Sequence, residues 1–407
     1  MITKKYDLIF AGAGLSALSI VTRMVENPFF AGKKILLIDR DRKEKNDRTW
    51  CFWATKDELQ FIPPVITRSW PDLYFYSDQY SAQLDTGDYQ YQMVRGDGFY
   101  HWAKKVLALY PQVEWLHTDI QNIDEISGTV TTTLGKYQAD WVLNSALVPF
   151  PLLPDIKKDL FQTPFTAIKS RIPENNIYLL QHFKGWVIRS PEPVFDPSAV
   201  TFMDFRVAQS GHTRFVYVLP LSSTEALVEY TVFSPDLLPE EEYEAALKDY
   251  IKRFLNIEIY EVIETEYGVI PMTDFAFPNP KNGRVIAIGT AGGFVKGSSG
   301  YAFKQTQRKA AAFVAAWAKE GQPDLAVLRS PWRFRVYDSI FLRALHDALV
   351  PAHIVFSSFF KKLDGKAVFQ FLDEDSNFLA DFRAIKSMPI LPFTRAAIRQ
   401  IFRFPYV

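Results

Sequence analysis

The sequence predicts an α/β chain in three parts: a Rossmann-like nucleotide-binding domain, an antiparallel β-sheet inserted into it, and a helical C-terminal region. Three observations predict it. A short apolar run, Leu8 to Ala11, stops at Gly12-Ala13-Gly14-Leu15-Ser16-Ala17; apolar residues at helical spacing follow, then a second apolar run ending at Asp39. From 165 to 233 the chain breaks into short apolar segments split by Pro, Gly and Ser, the texture of an antiparallel sheet. Beyond Gln322-Pro323 it reads as helical.

The opening unit is the strand–turn–helix–strand arrangement that holds the ADP part of a dinucleotide. Gly12 permits the tight turn, Gly14 lets the backbone approach a pyrophosphate, and Ala17 takes the place of the third glycine where helix meets strand. The helix N-terminus offers unpaired N–H groups and a partial positive charge. Asp39, 25 residues after Gly14, is placed to accept hydrogen bonds from the adenosine ribose. A plain βα turn carries such glycines too, but here strand, helix and acid all stand in order. The unit by itself does not separate NAD from FAD. Its position at the very start of the chain favours FAD, around which a whole chain can fold.

With 407 residues, two or three lobes with a substantial core are expected. Net charge is zero and the pI about 7.0, which gives nucleic acid no electrostatic footprint. The single cysteine, Cys51, excludes an internal disulfide and fits a reducing compartment. No signal peptide precedes the first strand and no apolar run reaches the length of a membrane span, so a soluble or peripheral protein is expected. The 34 Phe, 19 Tyr and 9 Trp suit either a core packed with rings or a long apolar tunnel whose π-faces stabilise a cation; composition alone favours the core.

In chain order, a charged loop from Asp41 to Asp47 leads into Arg48-Thr49-Trp50-Cys51-Phe52-Trp53, an aromatic string that either anchors the loop or walls a cofactor. Leu73 to Tyr76 alternates as a strand in a first excursion from the nucleotide domain. Arg95 opens a helix from Tyr100 to Tyr110 and is placed to reach cofactor phosphates, a solvated surface arginine being the plain alternative. Strands are expected over Val113–Leu116, Thr129–Thr133 and Trp141–Ala146, then a proline-rich crossover at Leu147–Pro154. The antiparallel series runs Thr166–Arg171, Ile177–Leu180, Trp186–Ile188, Val200–Val207, Arg214–Leu219 and Ala226–Phe233. Ser234-Pro235 caps a helix to about Phe254, acidic early and basic late as the helix dipole prefers.

The chain is expected back in the nucleotide domain at Gly268–Thr273, followed by a strand, Arg284–Gly289, and a second glycine-rich turn containing Gly289, Thr290, Gly292 and Gly293. That turn suggests backbone donors aimed at an anion or a ring carbonyl. A helix from Ala302 to Lys319 comes next. At the end, Thr394 to Phe404 places Arg395, Arg399 and Arg403 along one side and Ala397, Ile398 and Ile401 on the other, which suits either an anionic membrane surface or packing on the core. These readings divide the chain into a discontinuous nucleotide-binding domain (1–58, 91–146 and 265–320), a substrate-covering sheet (59–90 and 147–264) and a helical, membrane-contacting region (321–407).

Motifs for metal hydrolysis, serine hydrolysis and nucleoside-triphosphate chemistry are missing, and the six histidines lack metal spacing. What remains is an acid or base beside a bound nucleotide. Glu229 is the candidate, because Ala-Leu-Val-Glu229-Tyr-Thr231-Val-Phe is otherwise an apolar strand, although most glutamates are simply solvated.

Along nearly its whole length the chain resembles the bacterial, flavin-dependent lycopene β-cyclases. The resemblance is carried by Arg48–Trp53, Gln181–Trp186, Phe202-Met203-Asp204 and Arg214–Leu221, and by Val228-Glu229-Tyr230-Thr231, Ile270–Thr273 and Gly289–Gly293. Phe341–Leu345 and Phe371–Glu374 complete it. It implies an FAD enzyme of the p-hydroxybenzoate-hydroxylase-like fold that closes the linear ends of lycopene into β-ionone rings, an isomerase of the intramolecular lyase class. By the same resemblance the flavin acts reduced, with NAD(P)H as reductant, and there is no net redox change. Lycopene and other linear carotenoids are the implied substrates, met at the cytoplasmic face of a membrane. Glu229 matches the family's essential carboxylate, Asp204 is a second polar candidate, and Arg48, Arg95 and the two glycine-rich turns are implied at the FAD. Two positions depart: Gly297 stands where many members have Pro, and Tyr230 where relatives often carry an acid. Rival readings are a redox flavoenzyme acting on a prenyl lipid, and a non-catalytic carotenoid- or flavin-binding protein.

Overall fold

The computed structural model describes residues 4–146, 169, 172–276 and 283–401. Strand β1 (Lys4–Ala11), helix α1 (Leu15–Glu26) and strand β2 (Ile35–Asp39) form the opening unit. Then come β3 (Thr49–Ala54), β4 (Arg68–Trp70), β5 (Asp72–Tyr76), β6 (Ser81–Gln83), β7 (Gln90–Arg95) and α2 (Gly96–Leu107). They are followed by β8 (Val113–His117), β9 (Ile120–Asp124), β10 (Thr129–Thr132) and β11 (Gly135–Asn144). The next segment holds β12 (Tyr178–Arg189), β13 (Ala199–Asp204), β14 (Thr213–Pro220), β15 (Glu225–Ser234), α3 (Glu240–Phe254) and β16 (Glu261–Thr273). The last comprises β17 (Val285–Ala287), α4 (Phe303–Glu320), α5 (Trp332–His346), α6 (Ala352–Lys362), α7 (Gly365–Leu372), α8 (Phe378–Ser387) and α9 (Ile390–Ile401).

Three sheets result. The first runs β8-β2-β1-β11-β10-β9, with β17 also paired to β11. Its β8, β2, β1, β11 and β17 are parallel, and the apolar runs of the inner strands β1 and β2 are buried on both faces, whereas the edge strand β8 is only half-buried. Leu18, Val21 and Met24 of α1 pack there with Ala310, Phe313 and Trp317 of α4. The second sheet runs β16-β12-β15-β14-β13-β5-β6 and is antiparallel except where β13 meets β5. The third, β3-β7-β4, is a small antiparallel sheet.

Alternation along β14 and β15 gives the second sheet two faces. Val216, Val218, Val228, Tyr230 and Val232 pack under α3, against Tyr243, Leu247 and Ile251. Phe215, Tyr217, Leu219, Leu227 and Phe233 face the other way, into a core shared with Trp53, Tyr91 and Met93 of the third sheet and Phe359 and Phe369 of the C-terminal helices. That core gathers more aromatic side chains than any other cluster among the described residues.

Several boundaries differ from expectation. The helix expected from Ser234-Pro235 begins at Glu240, because Ser234 still pairs with Leu180 in the sheet and its hydroxyl lies 2.7 Å from His182 Nε2. Gly268–Thr273 belongs to β16, paired to β12, so the return to the nucleotide domain falls after Thr273 rather than at 265. The terminal helix begins at Ile390 rather than Thr394. The strand over Thr166–Arg171 and the crossover Leu147–Pro154 lie outside the described residues, apart from Lys169.

Candidate active site

The two glycine-rich turns meet at the ends of the parallel strands. Gly12 has φ +93°, and a Cβ there would stand 2.5 Å from Ser145 Oγ. Gly289 (φ +66°) would bring a Cβ to 3.3 Å from Ser16 Oγ and 3.5 Å from Ser145 Cβ. Thr290 and Gly292 lie in the single 3₁₀ turn that follows, closed by Gly293 in the left-handed region at φ +71°. Ala17 is wholly buried beneath the first turn of α1.

Gly14 opens α1, and nothing lies within 4 Å of where its Cβ would be. No side chain caps the leading N–H groups of that helix, and no acid sits in its first turn. This is a cradle for an anion, and the residues fit a dinucleotide pyrophosphate. Asp39, at the end of β2, already accepts the Ala13 N–H at 2.7 Å and the Asp41 N–H at 2.9 Å. A carboxylate offers about four acceptor positions, which leaves room for a ribose hydroxyl.

The arginines sit otherwise. Arg95 is clamped on Glu264 of β16 (3.0 and 3.3 Å) and lies 3.5 Å from Asp97. The Arg48 side chain is exposed, and its carbonyl accepts the Gly96 N–H at 2.7 Å. Neither guanidinium is brought into the glycine cradle.

Glu229 acquires its setting from strand register. Tyr217, Glu229, Gly185 and Glu266 stand opposite one another on β14, β15, β12 and β16. Residues opposite each other on neighbouring strands share a face, here the one turned towards the aromatic core. Between the glutamates stands a glycine. A Cβ on Gly185 would lie 3.0 Å from Glu266 Cγ and 3.2 Å from its Oε1, so only a bare backbone lets the two carboxyls meet.

Each carboxyl has its own hydroxyl donor: Thr231 Oγ1 donates to Glu229 Oε1 at 3.0 Å, and Thr49 Oγ1 donates to Glu266 Oε2 at 2.6 Å. With both acids ionised, Glu266 Oε1 has no donor; a proton on Glu229 supplies one. Desolvation first, then the charge and hydrogen bond of Glu266, push the Glu229 carboxyl well above its ordinary range, with Thr231 opposing. Desolvation also raises Glu266, but hydrogen bonds from Glu229 and Thr49 hold it back. A proton shared by the pair is therefore favoured on the Glu229 side.

Around the pair stand the Cys51 thiol and the phenols of Tyr91, Tyr217 and Tyr301, all kept neutral by burial. Tyr301 Oη is 3.2 Å from Tyr91 Oη and 3.4 Å from Tyr217 Oη. The Trp53 ring lies 4.6 Å from Tyr301 and stacks on Phe369 at 4.5 Å. Tyr301 follows Gly300 (φ +73°), whose Cβ would strike Gln181 Oε1 at 2.2 Å, so the glycine-rich segment also delivers a ring to the acid pair. A small recess lined by Thr49, Met93, Arg95, Leu227, Glu264 and Glu266 among others lies beside Glu266.

Asp204 is not brought to Glu229. It pairs with Val216, whose row faces α3. Fully buried there, it accepts from Arg206 Nε (2.9 Å), Arg206 Nη2 (2.6 Å) and the Tyr250 hydroxyl (2.8 Å). All its neighbours are structural. Sequence reasoning missed Glu266, because Glu261-Val-Ile-Glu264-Thr-Glu266 looks like a solvated edge; only pairing across Gly185 reveals it.

Two glycine-rich turns of the nucleotide-binding type, an antiparallel sheet and a half-buried pair of glutamates thus stand together in one α/β fold. Solved structures share the FAD-binding, Rossmann-like α/β fold. A geranylgeranyl bacteriochlorophyll reductase-like protein from Thermoplasma acidophilum matches with TM-score 0.57 and 13% identity, over 99% of this chain and 98% of that one. The p-nitrophenol 4-monooxygenase of Pseudomonas putida DLL-E4 matches at 0.54 and 15%, over 99% of each chain, and a flavin-dependent brominase at 0.60 and 12%, over 98% and 100%. Residues 7–398 match the lycopene cyclase protein family, and the chain belongs to that family. It is 24% identical to the lycopene beta-cyclase of Pantoea ananas over 281 residues, 66% of this chain and 63% of that protein. With the lycopene beta-cyclase of Paracoccus sp. (strain N81106 / MBIC 01143) it shares 24% over 275 residues, 66% and 61%. The chain thus spans a little under two thirds of the length of these relatives.

Proposed function

We propose that the protein is a lycopene β-cyclase, an isomerase (intramolecular lyase) that closes the ψ-ends of lycopene and other linear carotenoids into β-ionone rings without net redox change. The observation that carries this reading is the Glu229 carboxyl, paired with Glu266 and held against an aromatic wall in a fold shared with flavoenzymes. Glu229 gives its proton to C2 of the ψ-end, the C5–C6 double bond attacks the cation at C1, and the Glu229 carboxylate left behind takes up the proton lost from C6. The rings of Trp53, Tyr217 and Tyr301 shield that cation from water and face it with π-density. Reduced FAD, with NAD(P)H as reductant, would supply negative charge to offset that of the cation. Gly12, Gly14, Ala17 and Asp39 would hold its ADP part, and Gly289, Thr290, Gly292 and Gly293 its other half. Arg48 is free to reach a phosphate, whereas Arg95 serves only by leaving Glu264. Asp204 braces the sheet against α3 rather than touching substrate.

Attachment to the cytoplasmic face of a membrane rests on the C-terminal helices. In α8, Asp381, Ala384 and Ser387 face inward, whereas Phe378, Leu379, Phe382 and Ile385 face out. Ile390, Leu391 and Ile398 of α9 and Trp332 add to this exposed apolar surface, with Arg383, Lys386 and Arg395 beside it. An inside-out helix flanked by cations fits a lipid interface. No helix among the described residues is long and apolar enough to cross a membrane.

The test is Glu229→Gln, which keeps the shape and loses the proton. It is expected to retain FAD and lose cyclisation; a variant that cyclises at the wild-type rate overturns the assignment.

A further inference from the structure

We propose that Glu266 is a positioning residue for the proton that Glu229 delivers: the two carboxyls meet across Gly185, and the Glu266 carboxylate, moored by Thr49, orients the Glu229 O–H and holds it in place. This inference rests on the cyclase reading and adds a second carboxylate from a different strand.

Three observations independent of protonation arithmetic support it. Register places Glu229 and Glu266 in one row of three strands, separated only by Gly185. The space above Gly185 is taken by the Glu266 side chain, which comes within 3.0 Å of the glycine's absent Cβ. Glu266 Oε2 is fixed by Thr49, at the start of the Arg48–Trp53 string, leaving Oε1 as a buried acceptor without a donor. The Glu229 carboxyl, which shares a hydrogen bond with Glu266, is the neighbouring group that can supply a donor. Tyr230, standing where an acid is common among relatives, points instead to α3 and takes a hydrogen bond from Arg214 at 3.2 Å. The second acid of this site is therefore supplied from β16.

The arrangement also sets the pH range of the acid. The other groups facing the pair are Cys51, Tyr91, Tyr217 and Tyr301, all neutral, together with the matched Arg95–Glu264 ion pair beside Glu266. None of these changes charge near neutrality, so after burial itself Glu266 is the side chain that raises the Glu229 carboxyl.

The experiment compares cyclisation by wild type and Glu266→Gln across pH, with infrared spectra of the protonated carboxyl C=O stretch. Expected is an alkaline limb displaced downward by about one pH unit or more, a tenfold loss of proton affinity, with FAD still bound. The carboxyl band, absent in Glu229→Gln, disappears at correspondingly lower pH in Glu266→Gln. Gly185→Ala, which pushes Glu266 aside without removing it, moves the limb the same way and stands in should Glu266→Gln fail to fold. An unmoved limb and band, with activity merely scaled down at every pH, overturns the proposal while leaving the cyclase reading intact. Wild type that never cyclises lycopene, yet whose band shifts as described, overturns the cyclase reading instead.

Discussion

Gly185→Ala tests the geometry of the site with one carbon. The new Cβ arrives 2.9 Å from Leu227 Cδ1, 3.0 Å from Glu266 Cγ and 3.2 Å from Glu266 Oε1. Comfortable carbon contacts lie at about 3.5–4.0 Å, so these atoms must retreat by roughly half an ångström. Leu227 is a flexible end and yields cheaply. Glu266 is tied to Thr49 at 2.6 Å, so its retreat disturbs both that bond and its contact with Glu229. Overpacking of this kind costs about 1–3 kcal/mol, and the mobile leucine places this variant near 1 kcal/mol. Loss of one well-formed hydrogen bond to the proton donor, worth about 1.4 kcal/mol, lowers turnover about tenfold. Urea unfolding and initial rates of β-ring formation on lycopene in liposomes measure both quantities. A variant destabilised as predicted that nevertheless turns over at the wild-type rate would show that contact between the two carboxyls is irrelevant to the chemistry.

Other outcomes follow from the same structure. Gly14→Ala meets nothing within 4 Å in the protein, so the apoprotein should melt unchanged while FAD affinity, measured by flavin fluorescence, falls tenfold or more. Glu229 is raised in the folded state, so between its unfolded and folded pKa the unfolded chain holds fewer protons and stability declines with rising pH. Every unit of elevation weakens the fold by about 1.4 kcal/mol above the folded pKa. Glu229→Gln should therefore be more stable than wild type at neutral pH and lose that advantage as pH falls to the ordinary carboxyl range, read by thermal melts across pH. Phe378→Ser with Phe382→Ser, both exposed on α8, should leave melting intact and release the protein from sedimenting anionic vesicles; unchanged sedimentation would move the lipid contact elsewhere.

Local patterns in the sequence were good guides where local physics decides the outcome. The Gly12–Gly14 turn, α1 and the acid ending β2 formed as expected, because a strand, a positive-φ glycine and an amphipathic helix each declare themselves within a few residues. Glu229 was legible as an acid in an apolar strand. Glu266 was not, because its meaning depends on a register between β12 and β16 set by residues some 80 positions apart. Asp204 misled for the complementary reason. An irregularity in β13 shifts its pairing and turns its side chain to the α3 face, where Arg206 and Tyr250 occupy it. Arg95 looked available to a phosphate until β16 brought Glu264 against it.

The central claim is that a fold shared with redox enzymes here serves proton chemistry. Lycopene in liposomes, treated with the protein, FAD and a reductant without oxygen in deuterated water, tests it in one mass spectrum. The account predicts a β-ring product of lycopene's formula carrying one solvent deuterium per ring. A product changed by two hydrogens or one oxygen, or lycopene recovered unchanged, contradicts it.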